Sequence, residues 1–144
     1  MYQKVIRRAL TGALELTHDS VETAPARVGS YVLLVHLPCE VVFRRAGLEH
    51  VFQRGWFLYA GSARGPGGLR ARLRRHFRAD KKLHWHIDSL TTVADEIIAF
   101  AVEGARECDL ASALLRTATF RPALAGFGSS DCTNCSTHLL APID

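Results

Sequence analysis

Five side chains of this sequence have the types and the order to act on a phosphate ester: Tyr31, Tyr59, Arg72, His76 and Glu107. Hydrolysis of a phosphodiester needs a group that activates or orients water. It also needs cations facing the charge that develops at phosphorus, help for the leaving oxygen, and alignment of the parts. A phenol can orient or deprotonate water when nearby cations lower its pKa. A guanidinium fork matches paired phosphate oxygens better than an ammonium does. A carboxylate can hold a divalent ion that offsets transition-state charge. Taken singly, each residue has an ordinary reading: strand aromatics for the tyrosines, a solvated arginine, a histidine near a helix C-terminus, an acid at a helix N-terminus. Their order and grouping favour chemistry.

The elements that must carry them follow from apolar patterning. Residues 31–37 form a dense apolar, partly β-branched run closed by Pro38, which predicts a buried strand. A second strand is expected over 40–45, a short one at 51–52, and a central one over 55–61 with glycine at both ends. After the glycine-rich loop 62–68, Leu69, Leu73 and Phe77 recur at four-residue spacing and predict a helix over 69–79. Arg72 and His76 are also four apart, so they project from one side of that helix. A short helix is expected over 84–93, a strand over 95–102 and a helix over 106–117. In that last helix Glu107 lies one step from Leu110 and Ala111 and leans toward the core side, where a carboxylate needs a partner or a metal. The fold expected is a small α/β domain, a mainly antiparallel three-stranded sheet with an extra hairpin, flanked by three helices.

A chain of 144 residues fits one domain. Residues 1–28 read as an appendage. Val5, Ile6, Leu10, Leu14 and Leu16 partly follow helical spacing over 2–17, and the polar stretch 18–26 with Pro25 reads as a linker. The domain proper is expected over 29–144. No apolar run approaches the roughly 18–20 residues that span a bilayer, and no secretory leader is visible, so the expectation is a cytoplasmic protein, monomer or homodimer.

The net charge of +4 is modest, but it is clustered. Arg64, Arg70, Arg74, Arg75, Arg78, Lys81 and Lys82 accompany Arg72 within one short segment, opposed only by Asp80. Such a segment produces the positive field that nucleic-acid backbones attract. A solvated helix face is the competing reading.

Two further groups carry donor atoms. His84 and His86 flank Trp85; spacing by two points their rings apart, so joint chelation is disfavoured, and they are secondary pocket candidates together with Gly61, Ser62, Asp131 and His138. Cys132, Cys135 and His138 have the spacing of half a zinc site, with Cys108 as a possible fourth ligand. The alternative is that Asp131 and His138 line the pocket and the cysteines are small buried residues.

Gly29-Ser30-Tyr31 and Tyr59-Ala60-Gly61-Ser62 resemble the paired motifs of the GIY-YIG nuclease superfamily, and the helix with Arg72 four residues before His76 resembles the one that follows them there. More narrowly, Tyr59-Ala-Gly-Ser-Ala63, Leu83-His-Trp-His-Ile-Asp88, Glu107-Cys108 and Gly126-Phe-Gly-Ser-Ser-Asp-Cys132 are similar to a small branch sometimes fused to the DNA-repair enzyme endonuclease III. The resemblance covers about residues 29–140. It implies a nuclease fold and an endonuclease acting on nucleic acid, with DNA favoured over RNA. Tyr31 would be the water-activating or water-orienting phenol, Tyr59 a support for the scissile phosphate, and Arg72 its clamp. His76 would assist, Gly61 would allow close backbone approach, and Glu107 would hold one Mg²⁺ or Mn²⁺. Ser30 and Ala60 stand where the superfamily has isoleucine, and the loop 65–68 is long. These departures keep open a module that binds nucleic acid without cutting it. A zinc-stabilised interaction domain is the third reading.

Overall fold

The computed structural model describes residues 2–128 and 136–143. Helix α1 (Tyr2–Ala9) leads into strand β1 (Leu14–Leu16). A 3₁₀ turn (Val21–Thr23) then precedes β2 (Gly29–Leu37), the hairpin β3 (Val41–Arg45) and β4 (Leu48–Phe52), and β5 (Gly55–Ala63). Helix α2 (Gly68–Phe77), the short α3 (Asp88–Thr91), β6 (Glu96–Glu103), α4 (Glu107–Leu115), β7 (Phe120–Pro122) and β8 (Leu139–Pro142) complete the chain.

The core of the sheet is the trio β6-β2-β5, with β2 antiparallel to both neighbours over nearly its whole length. Short strands extend it on either side, giving six strands in the order β1-β6-β2-β5-β8-β7, where three were expected. The extra hairpin is present as a separate two-stranded unit. Its two-residue turn, Ala46-Gly47, has positive φ at both positions (50° and 83°), the backbone that matches the twist of a tight hairpin.

Successive residues of β2 alternate between two apolar layers. Tyr31, Leu33, Val35 and Leu37 face a cluster with Leu69 and Leu73 of α2 and Ile87 and Leu90 at α3. Val32 and Leu34 face Ile6 and Leu10 of the N-terminal segment and Leu110, Ala111 and Leu114 of α4. Leu69 and Leu73 of the stripe that predicted α2 are thus in the core, with Phe77 partly buried against it.

The N-terminal segment departs from expectation. The helix stops at Ala9, and Gly12, at φ 83°, turns the chain so that Leu14–Leu16 pairs with β6 as an edge strand. The stretch expected as a linker places Val21 and Ala24 in the core. No helix among the described residues is long and apolar enough to cross a membrane.

Candidate phosphoryl-transfer site

Because β2 runs antiparallel to β5 and β6, the start of β2, the end of β5 and the exit from β6 into α4 meet at one end of the sheet. Tyr31 is the third residue of β2 and pairs with Gly61 on β5, while Tyr59, two residues earlier, pairs with Leu33. Period two puts Tyr31 and Tyr59 on the same face, beneath α2. Tyr31, Tyr59, Arg72, His76 and Glu107 line a single cavity of about 190 Å³, together with Gly61, Ser62, Trp85, Gly128 and His138.

Two glycines make room for the phenols. A methyl at Gly61 would lie 2.5 Å from the Tyr31 hydroxyl oxygen, and a methyl at Gly128 would lie 2.6 Å from the edge of the Tyr59 ring. Gly61 therefore accommodates a neighbouring side chain, where close approach of the backbone to a ligand was expected.

The Tyr31 oxygen and His76 Nε2 are 2.6 Å apart, and both residues are buried. His76 Nδ1 is enclosed without a hydrogen-bond partner. An orphaned buried N–H is rarer than an orphaned acceptor, which favours the tautomer in which Nε2–H donates to Tyr31. The Tyr31 O–H is then free to point into the cavity. Burial, followed by the charge on Lys81, holds the imidazole neutral, with its pKa lowered to about 3. Burial and the neighbouring Tyr59 push the Tyr31 phenol far above its ordinary value, against the opposing pull of Arg72. Tyr59 is pushed up to about 12, again by burial. Both tyrosines are therefore neutral donors near pH 7.

Arg72 donates from Nη1 to the Ser62 carbonyl at 2.8 Å, and its guanidinium lies 4.2 Å from the centre of the Trp85 ring. Arg75 lies 4.1 Å from the same ring. Trp85 is partly buried at the margin of the core. Its position is fixed by Asp88, which is fully buried, accepts from both terminal nitrogens of Arg75 at 2.9 Å, and accepts the backbone N–H groups of His84 and Trp85 at 2.8 Å. Burial alone would raise the Asp88 pKa, but these bonds hold it down to about 2. Asp88 was not among the residues expected at the site. Its four bonds make it the post from which Arg75 and Trp85 hang.

The basic segment divides. Arg70 donates to the Ala24 carbonyl, Arg74 forms a two-bond pair with Glu22, and Arg75 serves Asp88. Lys81, expected on the nucleic-acid surface, has a side chain only 1% exposed. It caps α2 by donating to the carbonyls of Arg75 and His76 and sits 3.9 Å from Asp88. Burial, partly offset by Asp88, lowers its pKa to about 8. Arg64, Arg78 and Lys82 remain exposed, and no ion pair or hydrogen bond engages their side chains among the described residues.

The secondary pocket candidates also divide. Gly61, Ser62 and His138 line the cavity, whereas His84 and His86 do not. The His84 side chain is exposed, and His86 accepts the Gly128 N–H at Nδ1 while its ring packs between Phe43 and Phe127. Asp131, Cys132 and Cys135 lie outside the described residues.

The residues named separately for magnesium and for zinc converge. One donor atom each from Glu107, Cys108 and His138 lie within 4.8 Å of one another, and Cys108 Sγ is 3.6 Å from His138 Nε2. This adjacency joins positions thirty residues apart and had no local signal beyond the residue types.

The fold and the cavity define an α/β domain with a polar, phenol-lined site at one end of an antiparallel sheet. The chain belongs to the family described as Domain of unknown function DUF123, whose model matches residues 30–143. No curated protein and no solved structure matches the chain.

Proposed function

We propose that the chain is a metal-dependent endonuclease of GIY-YIG type that hydrolyses phosphodiester bonds in nucleic acid, DNA in the first instance. The observation that carries the reading is the convergence of Tyr31, Tyr59, Arg72, His76 and Glu107 on one cavity. Its volume is below the roughly 300–1,000 Å³ of pockets that enclose a drug-sized ligand, and suits one phosphate group of a longer chain. The resemblance to the GIY-YIG motifs supports the same reading.

In this reading, Arg72 faces the non-bridging phosphate oxygens. Ser62 and Trp85 hold its guanidinium in place before substrate arrives, so little rearrangement accompanies binding. Tyr59 donates a hydrogen bond to the phosphate. Tyr31 orients the attacking water, its phenol oxygen held in place by the Nε2–H of His76, and the water's proton leaves to bulk solvent. Burial and Lys81 keep the imidazole neutral, so His76 serves as a fixed donor to the phenol. The water oxygen bonds to phosphorus, one ester P–O bond breaks, and the products are a phosphate monoester and an alcohol. The carboxylate of Glu107 suits Mg²⁺ or Mn²⁺, an ion that would supply charge stabilisation at the phosphoryl oxygens. Exposed Arg64, Arg78 and Lys82 supply salt-dependent attraction to the backbone.

The test is cleavage of branched, flapped and single-stranded DNA and RNA with Mg²⁺ or Mn²⁺. Tyr31→Phe and Glu107→Gln should each lower cleavage by at least ~100-fold, the scale of a lost acid–base group, while binding persists. Salt-dependent binding with no cleavage under either metal would replace the nuclease reading with a binding module.

A further inference from the structure

We infer that Glu107, Cys108 and His138 together form a site for a thiophilic divalent cation of the Zn²⁺ class, open on the side of the phenol-lined cavity. The inference rests on the proposed function only in placing the ion beside the scissile phosphate. The site itself stands on its donor atoms.

The three donors come from two places that the fold holds in register. Glu107 and Cys108 are the first two residues of α4. His138 immediately precedes β8 and is fixed by two backbone bonds, donating its N–H to Phe127 and accepting from Ala60, each at 2.9 Å. Its side chain is buried, so the imidazole is not a mobile surface group. Glu107 and His138 both line the cavity that holds Tyr31 and Tyr59.

The spacing matches a small tetrahedral ion. With a metal–sulfur bond of about 2.3 Å and a metal–nitrogen bond of about 2.0–2.1 Å, two ligands on a tetrahedron stand roughly 3.6 Å apart. The sulfur of Cys108 and Nε2 of His138 are already 3.6 Å apart. All three donor atoms lie within 4.8 Å, so the carboxylate oxygen completes the set with a small side-chain adjustment.

The donor types then choose the ion. Mg²⁺ takes oxygen ligands in near-octahedral geometry and keeps much of its water. Thiolate and imidazole favour Zn²⁺ and its neighbours, whose affinity rises along the first row toward copper. Binding displaces the Cys108 thiol proton to solvent, and the thiolate and carboxylate balance the two positive charges of the ion. Among the described residues the protein supplies three ligands, and a tetrahedral ion has a further position for water, substrate or another donor. Zn²⁺ and Mg²⁺ therefore compete for Glu107, and the thiophilic ion binds far more tightly.

The test uses the full chain, reduced and stripped of metal, titrated with Co²⁺. The expected result is one equivalent of bound ion with a sulfur-to-cobalt charge-transfer band that excess Mg²⁺ does not remove. Cys108→Ser should abolish that band. His138→Gln and Glu107→Gln should weaken binding by at least ~100-fold, more than loss of an outer-shell partner does. Tyr31→Phe should keep the band. As a second measurement, Zn²⁺ should raise the melting temperature of the unsubstituted chain and not that of Cys108→Ser. No band in the unsubstituted chain, or a band that survives Cys108→Ser, overturns the inference. Failure here is separable from failure of the nuclease reading. A chain that cleaves with Mg²⁺ but shows no sulfur–cobalt band refutes only the thiophilic site. A chain that binds Co²⁺ through Cys108 and cleaves nothing refutes only the nuclease.

Discussion

Gly61 is opposite Tyr31 in the ladder, and the space a side chain would fill is taken by the phenol. In Gly61→Ala a methyl must displace a ring that is itself buried, and overpacking of this kind costs about 1–3 kcal/mol. The expected outcome is a folded protein by circular dichroism whose cleavage is reduced ~100-fold, because a shift of about 1 Å in a reacting group has that effect. A glycine inside a strand already signals close approach at the level of sequence. What it approaches is tertiary information. His76 shows the same division. Its place four residues after Arg72 was legible, but the burial that governs its charge was not. The free imidazole titrates near 6.5 and the folded one near 3. Between those values the unfolded chain binds a proton that the folded chain refuses, so stability rises with pH across the window and is lost as pH falls below 6.5. Between pH 7 and about pH 4.5 this amounts to at most ~3 kcal/mol. The urea midpoint should fall over that interval, and His76→Gln should reduce the fall.

At the scale of elements, α2 was legible because three facts agreed: the Leu69, Leu73 and Phe77 stripe, the preceding glycines and the run of good helix formers. The fate of its charges was not legible, since a lysine or arginine looks the same in sequence whether it meets solvent or a buried acid. Lys81 is the clearest instance, misread as a surface cation because Asp88 and the two carbonyls it caps are assembled only by the fold. Asp88 ties α2, the 84–85 segment and α3 into one unit. Asp88→Asn removes the charge that balances partly buried Arg75 and buried Lys81 and should destabilise the protein by ~3 kcal/mol, measured as a lower urea midpoint at pH 7. The same variant should loosen Trp85 and with it Arg72, so binding of a phosphate-containing ligand should weaken more than stability alone explains. The donor set of Glu107, Cys108 and His138 was legible only as types: each residue was named, but under two different metals.

Across the whole molecule, the strands with long apolar runs, β2, β5 and β6, were readable, whereas β1, β7 and β8 were not. Segments of three or four residues carry too little pattern to identify themselves, and their pairing partners make them strands. The N-terminal segment was misjudged for a related reason. Its apolar residues fit a helix, but Gly12 divides them, and the second half closes the β6 edge of the sheet. Removing residues 1–28 uncovers that edge and strips Ile6, Leu10, Leu16, Val21 and Ala24 from the two core layers. The truncated chain is expected to lose its cooperative urea transition and to elute as aggregate in size exclusion, since a bared strand edge pairs with other copies. A truncated chain that stays monomeric and unfolds cooperatively would restore the reading of residues 1–28 as an appendage.

The position of Trp85 has a practical consequence. The chain has two tryptophans; Trp56 meets Tyr2 edge-on and His36 at a tilt, away from the cavity, while Trp85 forms part of the cavity wall with Arg72 and Arg75 against its ring. An anion that draws Arg72 toward itself changes the electric field across that indole, so its emission shifts in colour and intensity. With Trp56 replaced by phenylalanine, the protein becomes its own optical sensor: occupancy of the cavity can be followed in real time without a label.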